Sequence, residues 1–493
     1  MRDVVAFILN AFNGFVLVYF IVLNTSYLVL IWLAATMTKH RVQRDDTAAL
    51  EDILTSPLTP SISVIIPAWN EEAFIVDSAQ AALRLRYPDH EVVIVDDGST
   101  DSTFERLRTA FDLVEVAPID DSDVPLRGPI QSVHVPASGE RLTVVRKQNA
   151  GTRADAVNAG VNAASKDLVC FVDADSLLEA DALLRTVQPF VDDPDRIVAT
   201  GGVIRALNGC EVIDGEVVDA RQPTTWVARI QVIEYLRSFL LGRTGWSRLG
   251  ALMIISGAFG LYRRDIVVEL GGLDDESLGE DFDLLMGVHR HLMDRGVDYR
   301  VAYVPDPVCW TEVPNSVKVL RTQRKRWSHG LAQVLWKYRG MMFRPKYRRV
   351  GSVGMPYYVA FELLGPVIEL VGLVVVIAGL SFGLINVPLA LLFFSVAILY
   401  SILVSVASLV VEEINFHRYE RWRDLGTGFV VAFIENLGFR QFHAFWRLEG
   451  LWAAVRRSDA GWGEMTRTGF QGVGDRGADE ENDAVAKRVE VAT

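Results

Sequence analysis

Residues 63–97 read SVIIPAWNEEAFIVDSAQAALRLRYPDHEVVIVDD, and this stretch decides the fold class. SVIIP and EVVIVDD are short runs rich in β-branched residues, which favours strands, and the spacing predicts a helix over 72–84 between them. The alternation continues with LTVVRK at 142–147, a helix over 153–165 and DLVCFVDAD at 167–175. Strands that alternate with helices in this way predict an α/β domain, in which a parallel sheet carries helices on both faces.

Acidic side chains stand where the predicted strands end, namely Asp96, Asp97, Asp173 and Asp175. Ligands of α/β sheets bind beyond the carboxyl ends of the strands, which makes these carboxylates candidate site residues. In the DAD sequence, two carboxylates one residue apart are suited to hold Mg²⁺ or Mn²⁺ against a diphosphate. A solvated turn with Asp175 near a helix N-terminus is the alternative. The first strand ends in PAWNEE and not in GxGxxG, which disfavours a dinucleotide-dependent dehydrogenase.

Two further motifs lie downstream of the DAD sequence. LGED at 278–281 follows small residues and opens a helix, so Asp281 is a candidate general base for a hydroxyl nucleophile, with helix capping as the alternative. QRKRW at 323–327 lies in a segment, 318–349, that holds eleven Lys and Arg residues and no acid. Such a segment is suited to lie on anionic lipid, and equally to present arginine to a diphosphate and tryptophan to a sugar.

Composition indicates a water-facing domain together with concentrated apolar segments. The 493 residues are 50% hydrophobic and 23% charged, with a mean hydropathy of +0.22. The net charge of −13 disfavours a nucleic-acid partner. The three cysteines, Cys170, Cys210 and Cys309, are far apart and form no CxxC motif, so the sequence predicts neither a disulfide framework nor a zinc site.

The apolar segments predict a multi-pass membrane protein. No charged residue lies between Asp3 and Lys39, which predicts one span at 15–35 after a short interfacial helix. The basic residues that follow place the next part of the chain in the cytoplasm. The apolar block 355–411 is interrupted at 383–388 and predicts two transmembrane helices. For the segment 424–457, which carries several charged residues, a full span and a re-entrant or interface-lying helix pair both remain open.

These segments divide the chain into an ordered series of parts. The predicted parts are an N-terminal membrane segment at 1–38, a linker at 39–60, a cytoplasmic domain at 61–315, basic interface helices with QRKRW at 316–352, two transmembrane helices at 353–412, the third membrane or re-entrant segment at 424–457 and a disordered acidic tail at 474–493. Within the domain, residues 111–141 have weak patterning and many turn residues, which indicates a surface insertion.

In chain order, SVIIPAWNEE, VDDGSTD, DAD, GED and QRKRW resemble the motifs of the processive family 2 glycosyltransferases. These are the membrane synthases of cellulose, hyaluronan, chitin-type oligomers and poly-N-acetylglucosamine, and the resemblance covers residues 13–455. It implies a nucleotide-sugar-binding, GT-A-like α/β domain in the cytoplasm and α-helical transmembrane segments in the cell membrane. The QxxRW motif distinguishes polymer synthases from relatives that transfer a single sugar.

The resemblance also implies roles for matching residues. Four residues match positions that bind the UDP-sugar donor: Glu71, Asp97, Arg153 and Asp173. A Mg²⁺ or Mn²⁺ site is implied at Asp173 and Asp175, and the catalytic base at Asp281. Three residues match the acceptor and diphosphate positions: Gln323, Arg326 and Trp327. GED stands where TED is common, as in the poly-N-acetylglucosamine synthase branch, and Arg153 stands where the family usually has lysine.

The sequence therefore predicts an inverting, metal-dependent glycosyltransferase that extends a β-linked polysaccharide from a UDP-sugar, with N-acetylglucosamine favoured over glucose. Export of the product is part of this prediction, and it leaves room for accessory export subunits. Two alternatives remain: transfer of a single sugar to a lipid carrier or glycolipid, and an inactive membrane scaffold or sugar-nucleotide sensor of an export complex. The size of the product separates the first alternative from polymerisation, and release of UDP excludes the second.

Two carboxylates lie within the first C-terminal membrane span, at Glu362 and Glu369. A charged residue at the centre of a bilayer costs ~2.5–3.5 kcal/mol on insertion scales and usually faces a bundle interior or a wet cavity. We expect Glu362 to lie at the cytoplasmic interface and to pair with Arg348 or Arg349. We expect Glu369 to face a polar passage for the product, formed with three polar residues of the N-terminal span: Asn24, Thr25 and Ser26.

Overall fold

The computed structural model describes residues 2–42, 46–117, 123–213, 215–384, 387–416 and 422–456. Its helices are α1 (Arg2–Val42), α2 (Asp46–Thr55), α3 (Ile75–Leu83), α4 (Thr103–Phe111), α5 (Arg153–Ala163), α6 (Ala182–Asp192), α7 (Trp226–Tyr235), α8 (Thr244–Arg248), α9 (Arg264–Glu269), α10 (Glu280–Asp294), α11 (Val317–Lys337), α12 (Met355–Tyr357), α13 (Gly365–Ser381), α14 (Val387–Phe416), α15 (Trp422–Ile434) and α16 (Arg440–Arg456). Segments of π-helix adjoin several of them, at Leu236–Arg243, Val350–Gly354, Tyr358–Leu363 and Glu435–Phe439. Short 3₁₀ turns lie at Arg339–Met341 and Pro345–Tyr347.

The strands are β1 (Ile62–Ala68), β2 (His90–Asp96), β3 (Leu113–Val116), β4 (Ile130–Pro136), β5 (Leu142–Lys147), β6 (Leu168–Val172), β7 (Ser176–Leu178), β8 (Ile197–Ala206), β9 (Glu211–Ile213), β10 (Glu216–Asp219), β11 (Phe259–Arg263) and β12 (Arg300–Thr311). Within the described ranges, ten of them form one sheet in the order β3-β4-β5-β2-β1-β6-β11-β8-β12-β7. β9 and β10 form a separate antiparallel pair.

The sheet is mixed, whereas the sequence predicted a parallel one. β5, β2, β1 and β6 run parallel, as expected for strands joined by crossover helices. β11 then lies antiparallel between β6 and β8, and β12 returns parallel to β8. The predicted α/β class is confirmed, but the parallel arrangement is wrong for part of the sheet, because β4, β7 and β11 pair antiparallel with their neighbours.

The central strands are buried on both faces, which explains their continuous apolar runs. Every residue of β1 and of β6 is buried, and α5 is buried along 154–162. At Gly160 a Cβ atom would lie 2.3 Å from Ile65 Cγ2, so α5 approaches β1 as closely as it does because this residue is glycine. The register sets Ala68 of β1 beside Asp96 of β2, and both strands therefore end at the same edge of the sheet.

Within residues 111–141, the segments 113–116 and 130–136 are strands that extend the sheet, so the predicted surface insertion is wrong for these segments. β3 and β4 pair antiparallel, and β4 pairs antiparallel with β5. β4 has three buried residues, Val133, His134 and Pro136, whereas Leu113 is the only buried residue of β3, which lies at the edge of the sheet. An edge strand with so little burial has no clear apolar pattern, which is why the sequence carries no strand signal here. Residues 118–122 lie outside the described part of the chain.

The N-terminal part is more helical than predicted. α1 continues from Arg2 to Val42 without interruption, so the short interfacial helix that was expected before residue 15 is not a separate element. The predicted linker contains α2, whose side chain at Ile53 is buried against the domain. A buried apolar residue on a helix is typical of an ordered, packed connection.

Three helices in the described part of the chain are long and apolar enough to cross a membrane: Phe7–Met37, Val350–Ser381 and Ile398–Phe416. α1 packs against α13 and α14, while α15 and α16 pack against α7, α11 and α13 at the junction with the sheet domain. The segment that remained open in the sequence is thus a pair of helices joined by a π-helical turn. The predicted acidic tail at 474–493 lies outside the described residues.

Candidate active site

A cavity of 1560 Å³ opens at the carboxyl ends of the central strands and extends to the helices of the membrane part. Asp96, which the sequence also selected as a strand-end carboxylate, does not line the cavity: it is buried, and its Oδ1 accepts from the backbone N–H of Ser99 at 3.1 Å. The structure brings together the other nine residues predicted for the site, although they are spread from position 71 to position 327. All nine of them line the cavity: Glu71, Asp97, Arg153, Asp173, Asp175, Asp281, Gln323, Arg326 and Trp327.

Glu71 and Asp97 follow β1 and β2 at one end of the cavity. The backbone N–H of Asp97 donates to Ala68 O at 2.9 Å, and that of Glu71 donates to Thr103 Oγ1 at 2.8 Å. Both side chains are buried, and Lys147 Nζ donates to Asp97 Oδ1 at 2.6 Å. Burial raises the pKa of Asp97 to about 6, although the ammonium of Lys147 favours the carboxylate form.

Arg153 connects two of the motifs. Its Nε and Nη2 lie 2.8 Å and 2.6 Å from Asp173 Oδ1, and its Nη1 lies 3.4 Å from Glu280 Oε1. Nη2 also donates to Gly257 O at 2.8 Å. The guanidinium therefore joins the DAD sequence, the GED sequence and the small-residue turn before β11 in one partly buried hydrogen-bonded group, a geometry suited to its planar set of donors.

Asp173 and Asp175 differ in exposure, and their donor atoms fit a hard cation. The side chain of Asp173 is 35% exposed, whereas Asp175 is buried and its Oδ1 accepts from Thr311 Oγ1 at 3.4 Å. In the part of the chain that the structure describes, no three His, Cys, Asp or Glu side chains form a metal-binding group. The protein therefore offers two carboxylates, and Mg²⁺ is commonly held by one or two carboxylates together with substrate phosphates and water.

Asp281 lies in the first turn of α10, where acidic residues are favoured by the helix dipole. Its Oδ2 accepts from the backbone N–H of Gly257 at 3.1 Å, and its Oδ1 accepts from that of Phe282 at 2.8 Å. These bonds fix the carboxylate at the cavity wall. The neighbouring Glu280 is buried, which raises the pKa of its carboxyl, while the charge of Arg153 opposes this shift. Sequence reasoning assigned no role to Glu280, although it lies within GED.

α11 carries the QRKRW residues across the start of α10. A Cβ atom at Gly330 would lie 2.9 Å from Gly279 N, so the close crossing requires glycine at this position of α11. Gln333 fixes the crossing further, because its Oε1 accepts from Leu278 N at 3.0 Å and its Nε2 donates to Glu276 O at 2.9 Å. This contact sets Arg326 of α11 near the GED carboxylates, whose charges act on its guanidinium.

The QRKRW side chains have different environments. Gln323 is buried, and burial lowers the pKa of Arg326, while nearby carboxylates oppose the shift. Trp327 is 41% exposed, so part of its ring is open to the cavity. Arg324, which the sequence left without a role, stacks 4.5 Å from the centre of that ring and donates to Glu234 Oε2 at 2.6 Å. It therefore fixes the tryptophan and joins α11 to α7.

The membrane side of the cavity is lined by charged residues in pairs. Glu369 lies 3.1 Å from Arg440 Nε, and Arg440 Nη1 donates to Ser401 Oγ at 2.6 Å. Glu369 shares the cavity wall with Asn24 of α1, where the sequence predicted a polar passage. Thr25 and Ser26 do not line the cavity.

The predicted partner of Glu362 is wrong. Its carboxylate lies 3.1 Å from Arg447 Nη2 of α16 and accepts from the Tyr27 hydroxyl at 3.3 Å. Arg348 instead lies 3.1 Å from Asp298 Oδ1, and Arg349 donates to the Leu249 carbonyl. The partner comes from α16 because this helix packs against both α11 and α13.

Comparison with known proteins identifies the class of protein that this fold and cavity define. Residues 60–330 match the family described as Glycosyltransferase like family 2, and the chain belongs to this family. The prediction of a glycosyltransferase is therefore confirmed. The match ends just beyond QRKRW, so it includes all nine residues of the cavity that the sequence selected.

Individual relatives were found among curated proteins and solved structures. The chain is 28% identical over 274 residues to the poly-beta-1,6-N-acetyl-D-glucosamine synthase of Staphylococcus aureus (strain COL), covering 56% of this chain and 55% of the synthase. It is 26% identical over 294 residues to the probable glycosyltransferase YdaM of Bacillus subtilis (strain 168), covering 59% of this chain and 60% of YdaM. The chain thus spans 55% to 60% of the length of these curated relatives.

Among solved structures, the mannosyltransferase PcManGT from Pyrobaculum calidifontis, in complex with GDP-Man and Mn²⁺, aligns with a TM-score of 0.50 and 19% identity. The alignment covers 86% of this chain and 99% of that protein. The likeness concerns the fold, and it confirms the predicted GT-A-like α/β class.

Proposed function

We propose that this protein extends a β-linked polysaccharide from a UDP-sugar, with N-acetylglucosamine as the favoured sugar, and passes the product into the membrane. The observation that carries the proposal is the continuous cavity, which is lined by the strand-end carboxylates and by polar residues of the membrane helices. A transferase with a small acceptor needs no such extension of its site. The similarity to a poly-beta-1,6-N-acetyl-D-glucosamine synthase supports the choice of sugar and polymer.

The donor binds at the strand ends in this proposal. Glu71 and Asp97 accept hydrogen bonds from the nucleoside, and Arg153 and Arg326 lie on the side of the diphosphate, where arginine can bind two oxygens at once. Asp173, together with Asp175, would hold Mg²⁺ or Mn²⁺, and such an ion offsets the negative charge of a leaving diphosphate.

The acceptor reacts on the other side of the sugar. Asp281 takes the proton of the acceptor hydroxyl while the hydroxyl oxygen bonds to the anomeric carbon, and the bond from that carbon to UDP breaks with its electron pair on the diphosphate. Because attack and departure are in line, the anomeric configuration inverts. The Gly257 N–H holds the Asp281 carboxylate for this step. Trp327 and Gln323 stand at the wall where the acceptor sugar stacks and hydrogen-bonds.

The topology that fits this reaction places the catalytic domain in the cytoplasm. The basic residues after α1 favour the cytoplasmic side, and three helices would then cross the bilayer. α15 and α16, whose packing joins the sheet domain to α13 and α14, would lie at the membrane surface. Accessory export subunits remain part of the proposal.

The function is tested with the purified full chain in lipid nanodiscs and a panel of radiolabelled UDP-sugars. We expect N-acetylglucosamine to enter a polymer more readily than glucose, with UDP released only when Mg²⁺ or Mn²⁺ is present. A product that stops at one sugar on a lipid would favour the glycolipid alternative. Absence of UDP release from every donor would contradict catalysis altogether.

Glu369→Leu is expected to reduce the yield and length of polymer on the order of tenfold, while single transfers to a short acceptor continue. The substitution removes one charged hydrogen bond to Arg440 from the passage, worth about 1.5 kcal/mol or more. Glu369→Gln keeps a hydrogen-bond acceptor and serves as the matched control, with smaller losses. Polymer of wild-type length from Glu369→Leu would show that the passage does not conduct the product.

A further inference from the structure

Lys147 is a fully buried lysine to which neither the sequence motifs nor the proposed reaction assigns a role. Lys147 is the last residue of β5, which pairs with β2, the strand that Asp97 follows, and its side chain is 0% exposed. Nζ lies 2.6 Å from Asp97 Oδ1, 2.6 Å from Asp155 Oδ2 and 2.8 Å from Gln148 O. An ammonium has three hydrogens to donate, so these acceptors can use all of them.

The groups around Lys147 exclude water from its ammonium. Asp155 accepts from the backbone N–H of Arg127 at 2.7 Å and from that of Gly128 at 3.1 Å, which ties the loop before β4 to α5. A Cβ atom at Gly128 would lie 2.8 Å from Lys147 Nζ, so the loop backbone closes directly over the ammonium. Burial of a lysine is costly unless it is paired, and here both paired carboxylates are themselves buried.

The charges around Asp97 leave Lys147 as its main counter-ion. The charged groups that act on Asp97 are Lys147 on β5, Asp155 on α5 and Asp96 on β2. Arg146 Nε lies 3.3 Å from Asp96 Oδ2, so these two charges offset each other. One ammonium is therefore shared by two buried carboxylates. Two other charged residues of the proposed donor site line the same cavity. Glu71, which follows β1, carries the same charge as Asp97, and Arg153 is paired with Asp173.

We propose that Lys147 is a positioning residue for donor binding, which keeps the Asp97 carboxylate ionised and oriented to accept hydrogen bonds from the nucleoside. The inference rests on the proposed function, because it takes Asp97 to contact a uridine nucleotide. An ionised carboxylate accepts hydrogen bonds only, whereas a protonated carboxyl donates from one oxygen and accepts less well. Protonation of Asp97 therefore weakens binding of the nucleoside, and loss of Lys147 favours protonation.

Affinity for UDP as a function of pH tests the inference. UDP is titrated calorimetrically into the full chain in detergent, with Mg²⁺ present, from pH 5 to pH 9. The wild-type affinity should rise with pH through about pH 6, where burial sets the pKa of Asp97. In Lys147→Met the midpoint should move upward by about one to three pH units, so that binding at pH 7 falls about tenfold and recovers toward pH 9.

Asp155→Asn provides a variant with the opposite expected shift. This substitution removes the second carboxylate, so Lys147 pairs with Asp97 alone and the pH midpoint of UDP affinity should move to lower pH. A loss of structure would not produce such a shift. Lys166→Met is the matched control, because this lysine binds Asp89 at 2.8 Å on the surface, and its profile should equal that of the wild type. The phosphate of UDP titrates in the same way with every variant. Comparing the pH profiles of the variants with one another therefore removes its contribution.

The outcomes separate this inference from the proposed function. Profiles of Lys147→Met and Asp155→Asn that run parallel to the wild type at every pH would overturn the positioning role while leaving UDP binding established. A wild-type protein that binds no UDP would overturn the proposed function and this inference together. If Lys147→Met fails to fold, the downward shift in Asp155→Asn decides: its presence supports the inference and its absence overturns it.

Discussion

Asp281→Asn is expected to lower the rate of sugar transfer about 10²–10⁴-fold, the usual contribution of a general base, while the affinity for UDP stays near the wild-type value. Asparagine has the shape of aspartate, and its amide oxygen can still accept the hydrogen bond from Gly257 N that is 3.1 Å long in the wild type. It does not take up the proton of an attacking hydroxyl. The donor is expected to bind through residues at the strand ends, so its affinity does not depend on this proton.

The measurement pairs initial rates of UDP release with calorimetric titration of UDP. Glu276→Gln is the matched control: this residue lies in the loop just before GED, its side chain is 78% exposed, and it bonds to Arg127 on the surface. The control should keep wild-type values in both measurements. If Asp281→Asn lost transfer and UDP affinity to the same extent, the residue would have a binding or structural role and the assignment as base would be wrong.

The strands that the sequence predicted correctly, β1, β2, β5 and β6, are buried along most of their length. β1, β2 and β6 are buried along nearly their whole length, and a continuous β-branched run is the local mark of that environment. β3 was missed because only Leu113 is buried, so its structure depends on pairing with β4 rather than on its own pattern. β11 was not predicted as a strand, because its five residues include Gly260 and Arg263 and form no continuous apolar run.

The residues of the cavity were predicted for a related reason. Carboxylates directly after parallel strands emerge at the same edge of the sheet, and β1, β2 and β6 are parallel, so Asp97 and Asp173 lie on the same side of the domain. Their partners follow from tertiary contacts that no local pattern contains. Arg153 reaches Glu280 across 127 positions of the chain, and Glu362 reaches Arg447 across 85. The error at Glu362 came from the segment 424–457, whose course the sequence left open.

The junction between the sheet domain and the membrane helices rests on a buried ion pair. Arg205, at the end of β8, has its Nη2 2.5 Å from Glu412 Oε1 on α14, and both side chains are buried. The guanidinium also lies 5.3 Å from the ring centre of Trp310 and 5.5 Å from that of Phe416. Neither side chain can reach water unless α14 separates from the sheet, so each charge is stabilised by its partner and not by solvent.

Glu412→Leu should therefore destabilise the folded protein by about 3–5 kcal/mol, because it leaves the charge of Arg205 buried without its carboxylate. The double variant Arg205→Met/Glu412→Leu should recover most of the loss, since apolar side chains of similar volume often replace a buried pair without cost. Denaturant titration in detergent measures both. Glu105→Gln, which breaks an exposed pair with Arg108, is the control and should cost less than about 1 kcal/mol. A double variant as unstable as Glu412→Leu alone would mean that packing at this junction, and not the unpaired charge, accounts for the loss.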